Sequence, residues 1–209
     1  VGADSTGEPR VAAHRRVVVL VEGRSDVAAV TVLCAARGLD PADGSFALVD
    51  MGGVTNVGHH LARLRTAPGR PQVLGLCDAP EERFVVRALG RQGVVVDDRD
   101  DLARAGFVVC DRDLEDELIR ALGPARVESV LERLGQLEQL RAFQRQPQWR
   151  GREVHDQLRR FAGTASGRKA LFARGLAEEL TPDETPAPLA RLLDALADAV
   201  EPTSGEASA

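Results

Sequence analysis

Three apolar runs in this 209-residue chain are followed at once by carboxylates. Glu22-Gly23-Arg24-Ser25-Asp26 follows VVVLV, and Asp78-Ala79-Pro80-Glu81-Glu82 follows VLGLC. Asp111-Arg112-Asp113-Leu114-Glu115-Asp116-Glu117 follows FVVC. One acid at such a junction serves as a helix N-cap. Several on one edge repel each other unless cations neutralise them. Mg²⁺ or Mn²⁺ suits such a set, because it takes a few carboxylates, keeps waters and completes its shell with phosphate oxygens. Glu22 and Asp26, four apart across a turn, can face one site, with Gly23 giving the backbone freedom to turn between them. Gly52-Gly53, ahead of Thr55-Asn56, can offer backbone N–H groups to a phosphate or form a plain turn.

The basic residues carry a second signal. Of 27 Lys and Arg residues only Lys169 is a lysine, and it is a compact point charge where arginine is a planar fork. Net charge is −5, which by itself argues against a nucleic-acid coat protein, but the charge is segregated. Residues 97–117 carry net −6, 118–174 net +7 and 175–209 net −7. A basic stretch beside an acidic focus suits a protein that holds a polyanion against bound cations. The chain has no tyrosine, which excludes tyrosine-nucleophile strand cleavage. Cys34, Cys77 and Cys110 form no C-x-x-C pair and read as small buried hydrophobes. His59 and His60 lack a partner at metal-ligand spacing. Trp149, near Arg150 and Arg152, is either a base-stacking platform or a packed aromatic.

The acids need a scaffold that brings strand ends together. VVVLV, FALVDM (46–51), VLGLC (73–77) and FVVC read as strands, the first and third without alternation, as in parallel strands covered on both faces. Helical patterns at 25–37 (Ser25 as N-cap), 54–65 and 81–91 lie between them. This order predicts βαβ units and an open, mostly parallel, four-stranded sheet with helices on its faces, in which ligands bind past the carboxyl ends of the strands. Beyond Cys110 only helices are expected, at 114–122, 125–134, 151–162, 167–180 and 188–200, forming an all-helical C-terminal region. The expected organisation is a tail (1–15), an α/β core (16–122), a helical region packed on it (123–201) and a second tail (202–209). No apolar stretch approaches ~18 residues and the N-terminus lacks a signal-peptide core, so a soluble cytoplasmic protein is expected.

Together these motifs resemble the TOPRIM domain of DNA-handling enzymes, and more closely its version in the OLD-family nucleases. E-G-x-x-D appears as Glu22 to Asp26, G-G-x-x-N-V as Gly52 to Val57, and the central Asp as Asp78. L-E-x-x-L appears as Leu114 to Leu118, G-[KR]-K-x-x-x-A as Gly167 to Ala173, and a P-x-x-L-x-x-L-L-type helix starts at Pro188. The resemblance spans about residues 16–200. It implies metal-dependent phosphodiester hydrolysis, with Glu22, Asp26, Asp78 and Glu115 holding one or two Mg²⁺ or Mn²⁺ ions and Lys169 assisting at the phosphate. Asp111 and Asp113 are second-rank ligands, and Gly52, Gly53, Asn56, Arg150, Arg152 and Arg168 are candidate nucleic-acid contacts. OLD proteins carry an ATPase domain ahead of TOPRIM; no Walker loop occurs here, so a stand-alone TOPRIM protein is expected, with an ATPase or DNA-repair partner acting in trans.

One departure concerns the metal site directly. The family's D-x-D reads Asp78-Ala79-Pro80, so its second carboxylate must come from Glu81 or Glu82, or one metal site is weakened. Two further readings therefore stand beside a DNA nuclease: a catalytically degenerate module that binds nucleic acid or a repair partner, and a TOPRIM nuclease that processes RNA.

Overall fold

The computed structural model describes residues 17–163 and 169–201. Four parallel strands, β1 (Val17–Val21), β2 (Phe46–Asp50), β3 (Gln72–Asp78) and β4 (Phe107–Cys110), form one sheet in the order β2-β1-β3-β4. The expected open α/β sheet is therefore present, and parallel throughout. VVVLV does not alternate because it is central and buried on both faces, every residue at 0% exposure. Val17, Val19 and Val21 point into one core, Val18 and Leu20 into the other.

The second core is closed by α2 (Val57–Arg65) and α3 (Glu82–Gly90). The first is closed by α1 (Arg24–Ala36) and by helices beyond the sheet: α5 (Leu114–Arg133), α6 (Leu137–Gln144), α7 (Val154–Ala162), α8 (Lys169–Ala177) and α9 (Ala187–Val200). α8 lies along α1, and α9 packs on β4, β3 and β1, so the C-terminal helices share the core of the sheet. Gly123 interrupts α5 with φ 73° and ψ 161°, and Pro124 restarts it; this is the expected break between two helical patterns.

Some local expectations differ. Ser25 is not the N-cap of α1: extended Gly23 precedes the helix, and its N–H donates to Asp26 Oδ2 at 2.9 Å. The helical patterns at 54–65 and 81–91 begin with single 3₁₀ turns, Val54–Asn56 and Ala79–Glu81. Two helices were not expected. α4 (Arg99–Arg104) is capped by Asp98, which accepts from the Asp101 N–H at 2.8 Å, and its acids resemble any charged loop in sequence; α6 is only two turns long.

Gly106 sets β4 against β3. It has φ +89°, and a Cβ there would lie 2.4 Å from the Val73 carbonyl oxygen. Gly106→Ala is expected to destabilise the protein by about 2–3 kcal/mol, read from urea or thermal melts, because left-handed strain adds to a backbone clash. A change below about 0.5 kcal/mol would contradict this close packing.

Candidate metal centre

Four strands running in one direction bring four carboxylates to one edge. Glu22 follows β1, Asp50 and Asp78 are the last residues of β2 and β3, and Asp111 follows β4. The Gly52-Gly53 loop is tied to this edge, with Met51 N–H donating to the Val21 carbonyl and Gly53 N–H to the Glu22 carbonyl, both at 2.9 Å. The chain then turns through Gly23 into α1, which puts Asp26 in its first turn, 8% exposed.

Pro80 occupies the first turn after β3, where no N–H donor is needed, and the 3₁₀ turn Ala79–Glu81 curls back over the strand end. Glu81 thereby joins Glu22 and Asp78: one carboxylate oxygen from each lies within 4.8 Å of the other two. Glu82 leaves the cluster for Arg99, whose Nε donates to its Oε2 at 3.1 Å. The residue offset by one from the missing aspartate, and longer by one methylene, thus reaches the centre.

On the other side α5 supplies Glu115, 4% exposed, and α8 begins with Lys169, whose Nζ lies 3.1 Å from Glu115 Oε1. A cleft of about 670 Å³ opens over Glu22, Asp26, Asp78, Asp50 and Lys169. Its electrostatics are unbalanced. Burial, and then the Glu81 carboxyl beside it, push the Glu22 carboxyl up to about 7. Burial and then Glu115 push Asp26 to about 6; burial, then Asp26 and Glu22, push Asp78 to about 8. Burial alone would pull the Lys169 ammonium down, but Glu115, Asp26 and Glu22 hold it above the usual lysine range. Among the described residues, Lys169 is the cation paired into this group of acids, and Arg24 also lines the cleft.

These groups fit a hard divalent cation. Carboxylate oxygens are the donors such ions prefer, and Glu81 Oε2 is buried with no hydrogen-bond partner among the described residues.

Four other acids of the 97–117 focus are engaged elsewhere. Asp113 caps α5, accepting from the Asp116 N–H at 2.7 Å, and pairs with Arg159 Nη2 at 2.6 Å; its charge still reaches Glu22 and Asp78. Asp111 faces Arg99 at 3.8 Å and Arg120 at 3.6 Å, outside the cleft. Asp116 and Glu117 are buried: Asp116 Oδ1 lies 2.8 Å from His155 Nε2, and Glu117 accepts from Arg120 and from the Asp111 N–H.

The candidate nucleic-acid contacts are scattered. Gly52 N–H donates to Asp50 Oδ1 at 2.7 Å and Gly53 N–H is spent on Glu22, so both glycine amides hold the loop. Asn56 Nδ2 donates to the Met51 and Gly52 carbonyls, bracing the same loop. Arg150 donates to the Arg145 carbonyl, and Arg152 lines a separate pocket with Trp149, Arg159 and Arg160. Trp149 stacks on Phe143, with ring centroids 5.0 Å apart. Gly167 and Arg168 lie outside the described residues. His59 and His60 do not line the cleft. The three cysteines are buried and free, and burial pushes the Cys34 and Cys77 thiols up to about 12. Sequence reasoning missed Asp50, whose place at the end of FALVD was the available signal, and the Arg159–Asp113 pair, for which there was none.

The parallel sheet with an acidic carboxyl edge, closed by a lysine-bearing helix, defines a TOPRIM-like α/β fold. It is the fold of the C-terminal region of OLD proteins. The structure from Xanthomonas campestris pv. campestris superposes with TM-score 0.69 at 24% identity, covering 89% of this chain and 94% of that one. The one from Burkholderia pseudomallei gives 0.63 at 22% identity, covering 89% and 98%. No family model matches the sequence, and no curated protein matches it.

Proposed function

We propose that this chain is a divalent-metal-dependent phosphodiesterase that hydrolyses DNA. The observation that carries the reading is the cluster of Glu22, Asp78 and Glu81, with Asp26, Glu115 and Lys169 around it, on the carboxyl edge of a parallel sheet. Such a charge excess costs folding energy unless a cation and a phosphate use it. DNA is the expected substrate because the motifs resemble those of OLD-family nucleases, and that resemblance also supports a repair-type or ATPase partner. Among the described residues no helix is long and apolar enough to cross a membrane.

Glu22, Asp78 and Glu81 would hold Mg²⁺ or Mn²⁺, with Asp26 and Glu115 beside them for a second ion. When bound, such a cation supplies a Lewis acid that makes water a nucleophile at neutral pH and offsets charge on the phosphate. The rest falls to the chain. Lys169 is kept protonated by Glu115 and offers a fixed positive charge to a phosphate oxygen, where charge builds during displacement. Asp26 accepts the Gly23 N–H, which fixes the turn that aims Glu22. Arg159 holds Asp113, and through it the first turn of α5 that carries Glu115.

The test is incubation of supercoiled and linear DNA with Mg²⁺, Mn²⁺ or EDTA, alongside Glu22→Ala and Asp78→Ala. Metal-dependent nicking or degradation, lost in both variants, is expected. DNA binding in EDTA with no cleavage under any metal would make the chain a binding module instead; cleavage of RNA alone would reassign the substrate. Lys169→Met is expected to lower the single-turnover rate about 100-fold while changing DNA affinity less than about tenfold. A loss confined to affinity would make Lys169 a binding contact only.

A further inference from the structure

On the sheet face opposite α8, the helices α2 and α3 leave a groove of about 410 Å³ between them. Small residues keep it open: a Cβ built on Gly58 would lie 3.7 Å from the Ala88 Cβ, so the helices meet there without filling the space above. Arg65, Arg87 and Arg91 line the groove, and no acidic residue does. All three are exposed, and none makes an ion pair among the described residues. Other arginines also lack acidic partners; this groove differs in gathering three of them with no acid in its lining, whereas the Trp149 pocket sets Arg152, Arg159 and Arg160 beside Asp113 and Asp156.

Three uncompensated guanidinium groups in one trough repel each other and attract a polyanion. Position and spacing narrow its identity. Thr55, in the groove lining, comes two residues after Gly53 of the metal cleft, and Phe84 three residues after Glu81 of the acidic cluster. The groove therefore starts at the edge where the acids converge and runs away from it along both helices. Arg87 and Arg91 are one helical turn apart, about 6 Å along the axis, comparable to the separation of neighbouring phosphates on an extended strand. Packed helices lie about 8–10 Å apart, so the trough between them holds one sugar-phosphate strand and is too narrow to take in a whole duplex. Guanidinium forks match phosphate oxygens.

We propose that the α2–α3 groove binds the sugar-phosphate backbone of a single-stranded segment of nucleic acid flanking the metal cleft, with Arg65, Arg87 and Arg91 as its phosphate contacts. The position of this segment rests on the hydrolase reading; the binding itself does not. It makes single-stranded DNA, or duplex DNA with a single-stranded flank, the preferred ligand class over blunt duplex.

The test compares the full chain with an Arg65→Gln/Arg87→Gln/Arg91→Gln variant by fluorescence anisotropy in EDTA, using labelled oligothymidylate, oligouridylate and a blunt duplex. Circular dichroism and a thermal melt establish that the variant folds, as expected for three exposed side chains. Affinity for oligothymidylate is expected to fall at least about tenfold, and the slope of log affinity against log salt to shrink by about 2, from three lost phosphate contacts on a single strand. Oligouridylate should lose as much, because the contacts are to phosphates; a loss restricted to RNA would overturn the backbone assignment. An unchanged affinity and slope would overturn the groove, and an equal loss for blunt duplex would overturn its single-strand character. Because binding is read in EDTA, failure of the parent protein to cleave DNA with Mg²⁺ counts against the hydrolase reading alone.

Discussion

Asp78→Asn is expected to abolish metal-dependent DNA cleavage, by at least about 100-fold, while making the metal-free protein more stable at pH 8. The two effects share one cause. Asp78 ends the central strand β3 and is half-buried, and burial together with Asp26 and Glu22 raises its carboxyl to about 8. An amide of the same shape removes a charge that the fold tolerates poorly and a ligand atom that a cation needs. After allowance for screening at a partly exposed site, the gain is on the order of 1–3 kcal/mol. Cleavage assays and urea melts of the same preparations separate the outcomes. Lower stability with activity retained would mean that Asp78 is a structural cap and that the centre lies elsewhere.

The stability of the metal-free chain should fall as pH rises from about 4 to about 8, and divalent cations should reverse the fall. Asp26, Glu22 and Asp78 are raised to about 6, 7 and 8, against ordinary values of 3.8, 4.5 and 3.8. In that window the folded state keeps protons that the unfolded chain has released. The stability these groups contribute is therefore complete below their unfolded values and lost as pH passes through the folded ones. Between pH 5.5 and 8.5 a drop in Tm of roughly 5–10 °C is expected, at about 2–4 °C per kcal/mol for a chain of this size. A bound cation favours the ionised carboxylates, so Mg²⁺ or Mn²⁺ should raise Tm more at pH 8.5 than at pH 5.5. Differential scanning calorimetry in EDTA and in Mg²⁺ measures both slopes. A flat profile in EDTA, or a cation effect that does not grow with pH, would contradict a strained acidic centre.

The acidic focus at 97–117 shows how much a charge run conceals. In sequence its nine acids are equivalent. In the fold, Glu117 and Asp116 are sealed against Arg120 and His155, Asp113 and Asp98 cap helices, Asp111 faces Arg99 and Arg120, and Glu115 turns to Lys169. Ion pairs between residues such as Arg159 and Asp113, 46 positions apart, have no local signature. The arginines 65, 87 and 91 pose the converse case: unremarkable on separate helices, they line one groove because β2-α2 and β3-α3 cross the same sheet face.

What the sequence determined by itself was whatever is set by neighbours along the chain. The bounds of β1 and β4, the interruption at Gly123-Pro124 and the junctions Val21-Glu22 and Cys110-Asp111 follow from burial runs, backbone chemistry and polarity changes a few residues long. The parallel sheet followed from strand–helix alternation, and the acidic edge followed from the sheet. Only the tertiary structure decided between Glu81 and Glu82, because a proline-started 3₁₀ turn determines which of two adjacent glutamates faces Glu22 and which faces Arg99. Only it showed that Gly52, Gly53 and Asn56 spend their hydrogen bonds on the loop, and that Lys169 meets Glu115 across 54 residues of chain. Side-chain direction and pairing depend on what the rest of the chain packs nearby, and that information is not local.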